Sequence, residues 1–215
     1  MQGALSPYEG ALRQAGSLSL LSADGRVVPL AIARYLADAD AVDQTVLDLC
    51  VPPVLDVGCG PGRIVHALAA AGSPALGVDI ADVAVALTKQ RGAPALIRSI
   101  FERVPGEGRW PTVLVLDGNV GIGGDVAGLL RRLAGLLAPG GSVIVEASSC
   151  DAELDEVLDV RFSTDSQVMG PQFAWAIVGA QALIRYAGQA GLAVSDYWSA
   201  GGRAFVRFER DTAIR

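Results

Sequence analysis

Val54-Leu-Asp-Val-Gly-Cys-Gly-Pro-Gly-Arg63, followed by Leu76-Gly-Val-Asp79-Ile80, decides the fold. A short apolar strand enters a glycine-rich turn, a helix follows, and a second strand ends on a carboxylate. That order is the opening half of a nucleotide-binding α/β sheet. A dinucleotide site spaces its glycines G-x-G-x-x-G, so that backbone amides at a helix N-terminus approach a pyrophosphate. Here Gly58, Gly60 and Gly62 are spaced G-x-G-x-G, and Arg63 stands where the last fingerprint glycine belongs. Asp56 sits just before the turn, where a carboxylate repels a pyrophosphate and suits a positively charged ligand. Asp79 can accept hydrogen bonds from ribose hydroxyls of either ligand class. Asp56 and the glycine spacing therefore argue against NAD.

Outward from this stretch the chain alternates. Strands are expected at 54–57, 75–79, 95–98, 112–117 and 142–147, with helices at 62–71, 81–91 and 125–137. Asp125 is placed to cap the last of these helices, and Pro139-Gly140-Gly141 to turn the chain after it. Such alternation predicts a parallel sheet with helices on both faces. The pattern then changes. Residues 156–163 and 172–178 alternate at period two around Met169-Gly170-Pro171, which predicts an inserted antiparallel hairpin. A helix over 179–190 and a final hairpin, 192–198 with 203–209, complete the chain. Before the first strand, helices are expected from about Pro29, acceptable in a first turn, and after Asp40, with Val42, Val46 and Leu49 on one face. The organisation is thus a helical cap over 1–52 and a ligand-binding domain over 53–215, with a lid at about 151–178.

The series V-L-D-V-G-C-G-P-G-R, G-V-D-I, a strand ending at Asp117 and Leu136-Leu-Ala-Pro-Gly-Gly-Ser-Val-Ile-Val145 resembles the class I S-adenosylmethionine-dependent methyltransferases. The resemblance covers roughly residues 50 to 150 by motif. Within that family the chain is similar to a small bacterial subgroup of unassigned substrate, in which a segment like Pro105-Gly-Glu-Gly-Arg-Trp110 precedes one like Asp117-Gly-Asn-Val-Gly-Ile-Gly-Gly-Asp125. It implies a Rossmann-like fold, with a seven-stranded, mostly parallel sheet and an antiparallel C-terminal hairpin. It also implies S-adenosylmethionine as methyl donor, with S-adenosylhomocysteine as product. N-terminal helices in this family commonly cover the cofactor, which makes Tyr8, Arg13, Arg34 and Tyr35 candidate contacts, against ordinary packing or surface roles.

Ligands of open α/β sheets bind beyond the carboxyl ends of the strands. Expected donor contacts are Asp56, Gly58, Cys59 and Gly60 on the first loop, with Asp79 and Ile80 after the second strand. Ser99, Ile100 and Phe101 are expected around the adenine; many relatives carry Asp at position 99, so Ser99 is a departure. Asp117, Gly118 and Asn119 are expected near the transferred methyl group. Asn119 and Glu146 are the candidates for a catalytic role, Glu146 as base or as a structural hydrogen-bonding group. Cys59 reads as a small residue tucked into the loop, and His66, the lone histidine, as a packing or surface residue. Methyl transfer from a sulfonium is chiefly a problem of alignment, and a base is needed only where the acceptor must lose a proton.

A net charge of -6 and a pI near 4.7 argue against a polyanionic partner, so neither nucleic acid nor membrane is expected. Arg131-Arg132 and the Arg203, Arg207, Arg210 series read as solvated faces. No apolar run reaches the ~18 residues of a spanning helix, and the N-terminus lacks the pattern of an export signal. Cys50, Cys59 and Cys150 have no metal-ligand spacing, which points to reduced thiols in a cytoplasm and to no metal. Lys89 as the only lysine, amid abundant alanine and glycine, suggests a bacterium with a G- and C-rich genome. The expected protein is a monomeric or homodimeric enzyme that methylates an O or N atom of a small-molecule acceptor. A non-catalytic S-adenosylmethionine-binding protein and a peptide or protein methyltransferase are the alternatives.

Overall fold

The computed structural model describes residues 5–210. Residues 1–4 and 211–215, the outer ends of the two expected segments, lie outside the described residues. The chain first forms α1 (Ser6–Gln14), β1 (Leu18–Ser22), β2 (Val27–Leu30), α2 (Ile32–Leu36) and α3 (Ala41–Leu47). The alternating core follows as β3 (Val54–Val57), α4 (Arg63–Ala70), β4 (Ala75–Asp79), α5 (Asp82–Gln90), β5 (Ala95–Ile97) and β6 (Trp110–Val115). A 3-10 turn (Asn119–Gly121), α6 (Val126–Leu136) and β7 (Leu137–Ala147) come next, then β8 (Asp155–Ser163) and β9 (Val168–Val178). The chain ends with α7 (Ala180–Gln189), β10 (Leu192–Ala200) and β11 (Arg203–Arg210).

Seven strands form the main sheet in the order β10-β11-β7-β6-β3-β4-β5. The five from β7 to β5 are parallel, and β11 and β10 add antiparallel at one edge. Helices on both faces explain why β3 is buried at all four positions, although one of them is an aspartate. On α6, Leu129, Leu130, Leu133 and Leu136 are fully buried against the sheet. Asp125 caps that helix by accepting from the Gly128 amide at 2.8 Å. β7 starts earlier than expected, taking in Pro139-Gly140-Gly141, and its register against β6 shifts between Trp110 and Thr112.

The N-terminal segment departs from expectation. The stretch around Pro29, expected to be helical, is the strand β2, paired antiparallel with β1. Pro29 lies on the outer strand of its sheet, where a missing N–H leaves no ladder bond unmade. The expected helix is reduced to the five residues of α2. β1 also pairs with β8, Leu20 facing Phe162, so the N-terminal hairpin and the insert form a second sheet, β2-β1-β8-β9. The insert is the antiparallel hairpin expected, but Met169-Gly170-Pro171 belongs to β9, and its turn closes where the Thr164 amide donates to the Gln167 carbonyl. The small sheet shares an apolar core with α1 and the start of α5, built on Leu12, Leu18, Ile32, Val83, Val160 and Phe162. No helix among the described residues is long and apolar enough to cross a membrane.

Candidate functional site

The glycine loop between β3 and α4 is held on three sides. Asn119 Nδ2 donates to the Gly58 carbonyl at 2.9 Å, Thr88 Oγ1 donates to the Gly60 carbonyl at 2.9 Å, and the Gly60 amide donates to Asp79 Oδ2 at 2.9 Å. These attachments leave no room for side chains. A Cβ on Gly58 (φ +69°) would lie 2.5 Å from Asn119 Nδ2, and one on Gly62 (φ +84°) 2.5 Å from Thr88 Cγ2. Cys59 is tucked inward as expected: a Cβ on Gly77 would meet its sulfur at 2.6 Å, and burial raises its thiol well above the usual range.

Beyond the carboxyl ends of β3, β4 and β6 opens a cavity of about 800 Å³, within the ~300–1,000 Å³ usual for small-molecule sites. Asp56, Gly58, Cys59 and Gly60 form one wall, and Asp79 and Ile80 another. Ser99, Ile100 and Phe101 join them, as do Asp117 and Asn119. Gly118 (φ +81°) lies in the same loop but not on the wall. The segment 98–102 is pinned from behind by Arg132, which donates to the carbonyls of Ile100 at 2.8 Å and Glu102 at 2.6 Å. Arg132 is thus structural, not part of a solvated face. Ser99 Oγ accepts from the Phe101 amide at 3.3 Å, which leaves its hydroxyl proton free to donate.

Asp56 is the unusual group. It is 3% exposed, lines the cavity, and receives no hydrogen bond from any described residue. Burial, with the negative charges of Asp117 and Asp79 added, pushes its carboxyl up to about 8. Asp79 is also raised by burial, against the pull of backbone amides that include Ala81 N at 2.8 Å. Among the described residues neither Asp56 nor Asp79 has a cationic side chain as partner.

The other carboxylates are fully engaged. Arg63 pairs with Asp43 and, at 2.7 Å, with Asp117. Arg203 reaches Asp43 at 2.7 Å and grips both oxygens of Glu146, at 2.8 and 2.7 Å. Arg34 pairs with Asp117 at 2.8 Å. Three guanidinium groups thus balance three carboxylates at the carboxyl edge of β6 and β7. Asp117 adopts a left-handed conformation (φ +57°), uncommon outside glycine, and its amide donates to Glu146 Oε2 at 2.7 Å. Burial works to raise Glu146, but the Arg203 hydrogen bonds and charge outweigh it and hold the carboxyl below its ordinary range. Glu146 therefore takes the structural alternative: it does not line the cavity, and its oxygens face Arg203 and Asp117. Arg203 is corrected likewise, at 8% exposure, from solvated to buried. Asp43, fully buried, and Arg203 were missed as site-building residues; they stand 160 positions apart, and no local pattern couples them.

Tyr8 and Tyr35 also line the cavity, as do Phe162, Phe173 and Trp175 of the small sheet. Arg13 is exposed and His66 half-buried on α4, and neither reaches the cavity. Met169 packs against the core of the small sheet without lining the cavity.

A family profile described as "Methyltransferase domain" matches residues 54–141, the segment from β3 into β7 that builds this cleft. That segment is similar to a methyltransferase domain, and the likeness of the wider chain to solved structures is one of fold. A ubiquinone biosynthesis O-methyltransferase of Bordetella bronchiseptica is 28% identical over 152 residues, which are 67% of this chain and 55% of that protein. The chain thus spans little more than half the length of the curated relatives it matches. Among solved structures, a SAM-dependent methyltransferase from Bacteroides fragilis in complex with S-adenosylhomocysteine aligns with a TM-score of 0.78 at 21% identity, covering 97% of this chain and 94% of that one. A 1,6-didemethyltoxoflavin-N1-methyltransferase from Burkholderia thailandensis, with 1,6-didemethyltoxoflavin and S-adenosylhomocysteine bound, aligns with a TM-score of 0.56 at 17% identity over 73% of this chain and 70% of that one. The chain has the seven-stranded, mostly parallel sheet and antiparallel C-terminal hairpin that the motifs implied.

Proposed function

We propose that the protein transfers a methyl group from S-adenosylmethionine to an O or N atom of a small-molecule acceptor, in the cytoplasm. One observation carries the reading: Asp56 is a buried carboxylate with no partner among the described residues, opening on a cavity where Asp79 likewise has no cationic partner among them. Buried charge without compensation is costly, and a ligand bearing an ammonium and a sulfonium supplies the missing positive charge. S-adenosylmethionine brings a methyl group already activated on sulfur.

The chain's own residues bind and align. Asp79, whose oxygens each take one backbone amide, keeps lone pairs for ribose hydroxyls. Ile100 and Phe101 supply apolar walls for the base, with Ser99 as a hydrogen-bonding group. Asn119 acts by position: its amide clamps the glycine loop to the loop after β6, so that donor and acceptor walls keep one spacing. The Asp43, Arg63, Arg203, Glu146 network holds Asp117 and that loop rigid, a supporting role rather than proton transfer. Calorimetry with S-adenosylmethionine and S-adenosylhomocysteine tests the reading. Binding of both is expected, with turnover to the latter when an acceptor is found. The absence of heat with either refutes it.

A further inference from the structure

The far half of the cavity narrows the chemistry of the acceptor, an inference that rests on the methyltransferase reading above. Leu20 and Leu30 come from β1 and β2, and Phe162, Phe173 and Trp175 from β8 and β9. The three rings form a continuous array. Phe162 and Phe173 have centroids 5.1 Å apart and tilted by 46°, and Phe173 meets Trp175 edge-on at 6.4 Å and 84°. The array is backed by the loop after β6, since Ile122 bridges to Trp175 and a Cβ on Gly121 would lie 2.8 Å from the indole nitrogen. Such a wall presents faces and edges to a flat guest, and offset or edge-to-face contacts add to the burial of apolar area.

Charge excludes anions. The cationic side chains on the cavity wall are Arg63 and Arg98. Arg63 is taken by Asp43 and Asp117, while Arg98 is 44% exposed and pairs with Glu102. A phosphate or carboxylate entering here would lose its hydration beside Asp56 and Asp79, with no unengaged cation among the described residues of the wall to replace it.

Polar recognition falls to Tyr35. Among the described residues the Tyr8 hydroxyl has no hydrogen-bond partner, and the Tyr35 oxygen only accepts from the Ala31 backbone, which leaves its proton without an acceptor although buried phenols ordinarily find one. Tyr8 belongs to the donor end: a Cβ on Gly60 would lie 3.3 Å from its oxygen. Tyr35 follows Arg34, whose guanidinium pairs with Asp117 at 2.8 Å and sits 6.0 Å from the Tyr35 ring centroid. That pair fastens α2 over the end of β6, beside the loop that the methyltransferase reading assigns to the transferred methyl. Burial, then the Asp117 charge, raises the phenol to about 12, so it keeps its proton at neutral pH and donates.

We propose that the acceptor is an uncharged, flat aromatic molecule whose ring lies on the Phe162–Phe173–Trp175 wall and whose oxygen or nitrogen accepts a hydrogen bond from the Tyr35 hydroxyl. The test uses the full chain loaded with S-adenosylhomocysteine; failure to load refutes the broader reading and is seen before any acceptor is added. Loaded protein is then titrated with 1-naphthol, naphthalene, 1-hydroxy-2-naphthoate and 1-decanol. 1-Naphthol is expected to bind about tenfold or more tightly than the carboxylate or the aliphatic alcohol, and ~5-fold more tightly than naphthalene, the worth of one neutral hydrogen bond. Tyr35→Phe should erase the difference between naphthol and naphthalene and leave affinity for naphthalene and S-adenosylhomocysteine unchanged. Equal or tighter binding of the carboxylate or decanol, or no binding of either neutral aromatic to loaded protein, overturns the proposal. A naphthol preference that survives in Tyr35→Phe overturns the assignment of Tyr35.

Discussion

Asp56→Asn should stabilise the ligand-free protein and weaken donor binding, a divergence that follows from the burial of this one carboxylate. The folded-state value is raised from 3.8 to about 8. The sign follows from which state holds the proton. A carboxyl raised on folding contributes stability that is fully present below the unfolded value and is lost as pH rises toward the folded one. At pH 7 the folded protein keeps Asp56 largely protonated, while the unfolded chain has released that proton. At ~1.4 kcal/mol per pH unit between 3.8 and 7, the carboxylate costs the fold ~4 kcal/mol in order of magnitude. Asparagine resembles the neutral acid and never incurs that cost. Asp56→Asn should therefore raise the unfolding midpoint by ~10 °C at pH 7, at ~2–4 °C per kcal/mol for a chain of this size. The gain should vanish near pH 3. The same change removes a charge-assisted contact worth ~1.5–3 kcal/mol, so affinity for S-adenosylmethionine should fall ~10–100-fold. Wild-type protein should also release close to one proton on binding at pH 7, seen as a difference between calorimetric heats in phosphate and Tris, and the variant should release none. A less stable apo variant, or unchanged affinity and proton release, would show that Asp56 does not serve as the counter-charge of the donor.

The remaining expectations concern the scaffold. Glu146→Gln should cost ~3–5 kcal/mol of stability in urea unfolding, because it strands a buried guanidinium, while any turnover that survives keeps its pH profile; a lost limb of that profile without loss of stability would restore Glu146 as a base. Gly58→Ala, at a left-handed position and against the Asn119 amide, should abolish donor binding measured by calorimetry, whereas near-native affinity would mean that the loop relaxes freely. Cys59→Ala should lower stability by ~1 kcal/mol through lost packing and leave the turnover rate intact, and a large fall in rate would contradict a thiol that only fills space beside Gly77.

Much of the main sheet was readable because its signals are local. The apolar run at 54–57, the glycines that follow it and the carboxylate at 79 all lie within one βαβ unit, and β4 has the expected bounds. The β8–β9 hairpin announced itself by period two, though not the place of its turn, and the β10–β11 hairpin by Gly201-Gly202. The residues read as cofactor contacts, Gly118 apart, were brought by the fold to one cavity. Pro29 misled because a proline satisfies two environments equally: the first turn of a helix and an outer strand both have no use for its N–H.

The amino-acid order by itself determined the class of fold, the glycine loop proposed to receive the donor, and the two carboxylates beside it, since each is written within a few residues of its neighbour. Tertiary structure alone decided the rest. It joined β1 to β8 across the chain, which turned two separate hairpins into the aromatic roof of the cavity. It also drew Asp43, Arg63 and Arg203 together, so that charges which look solvated one by one became a neutral buried network, and it left Asp56 outside that network. Burial and pairing are properties of neighbours in space, and the charge that matters for the proposed site is the one that packing leaves unbalanced.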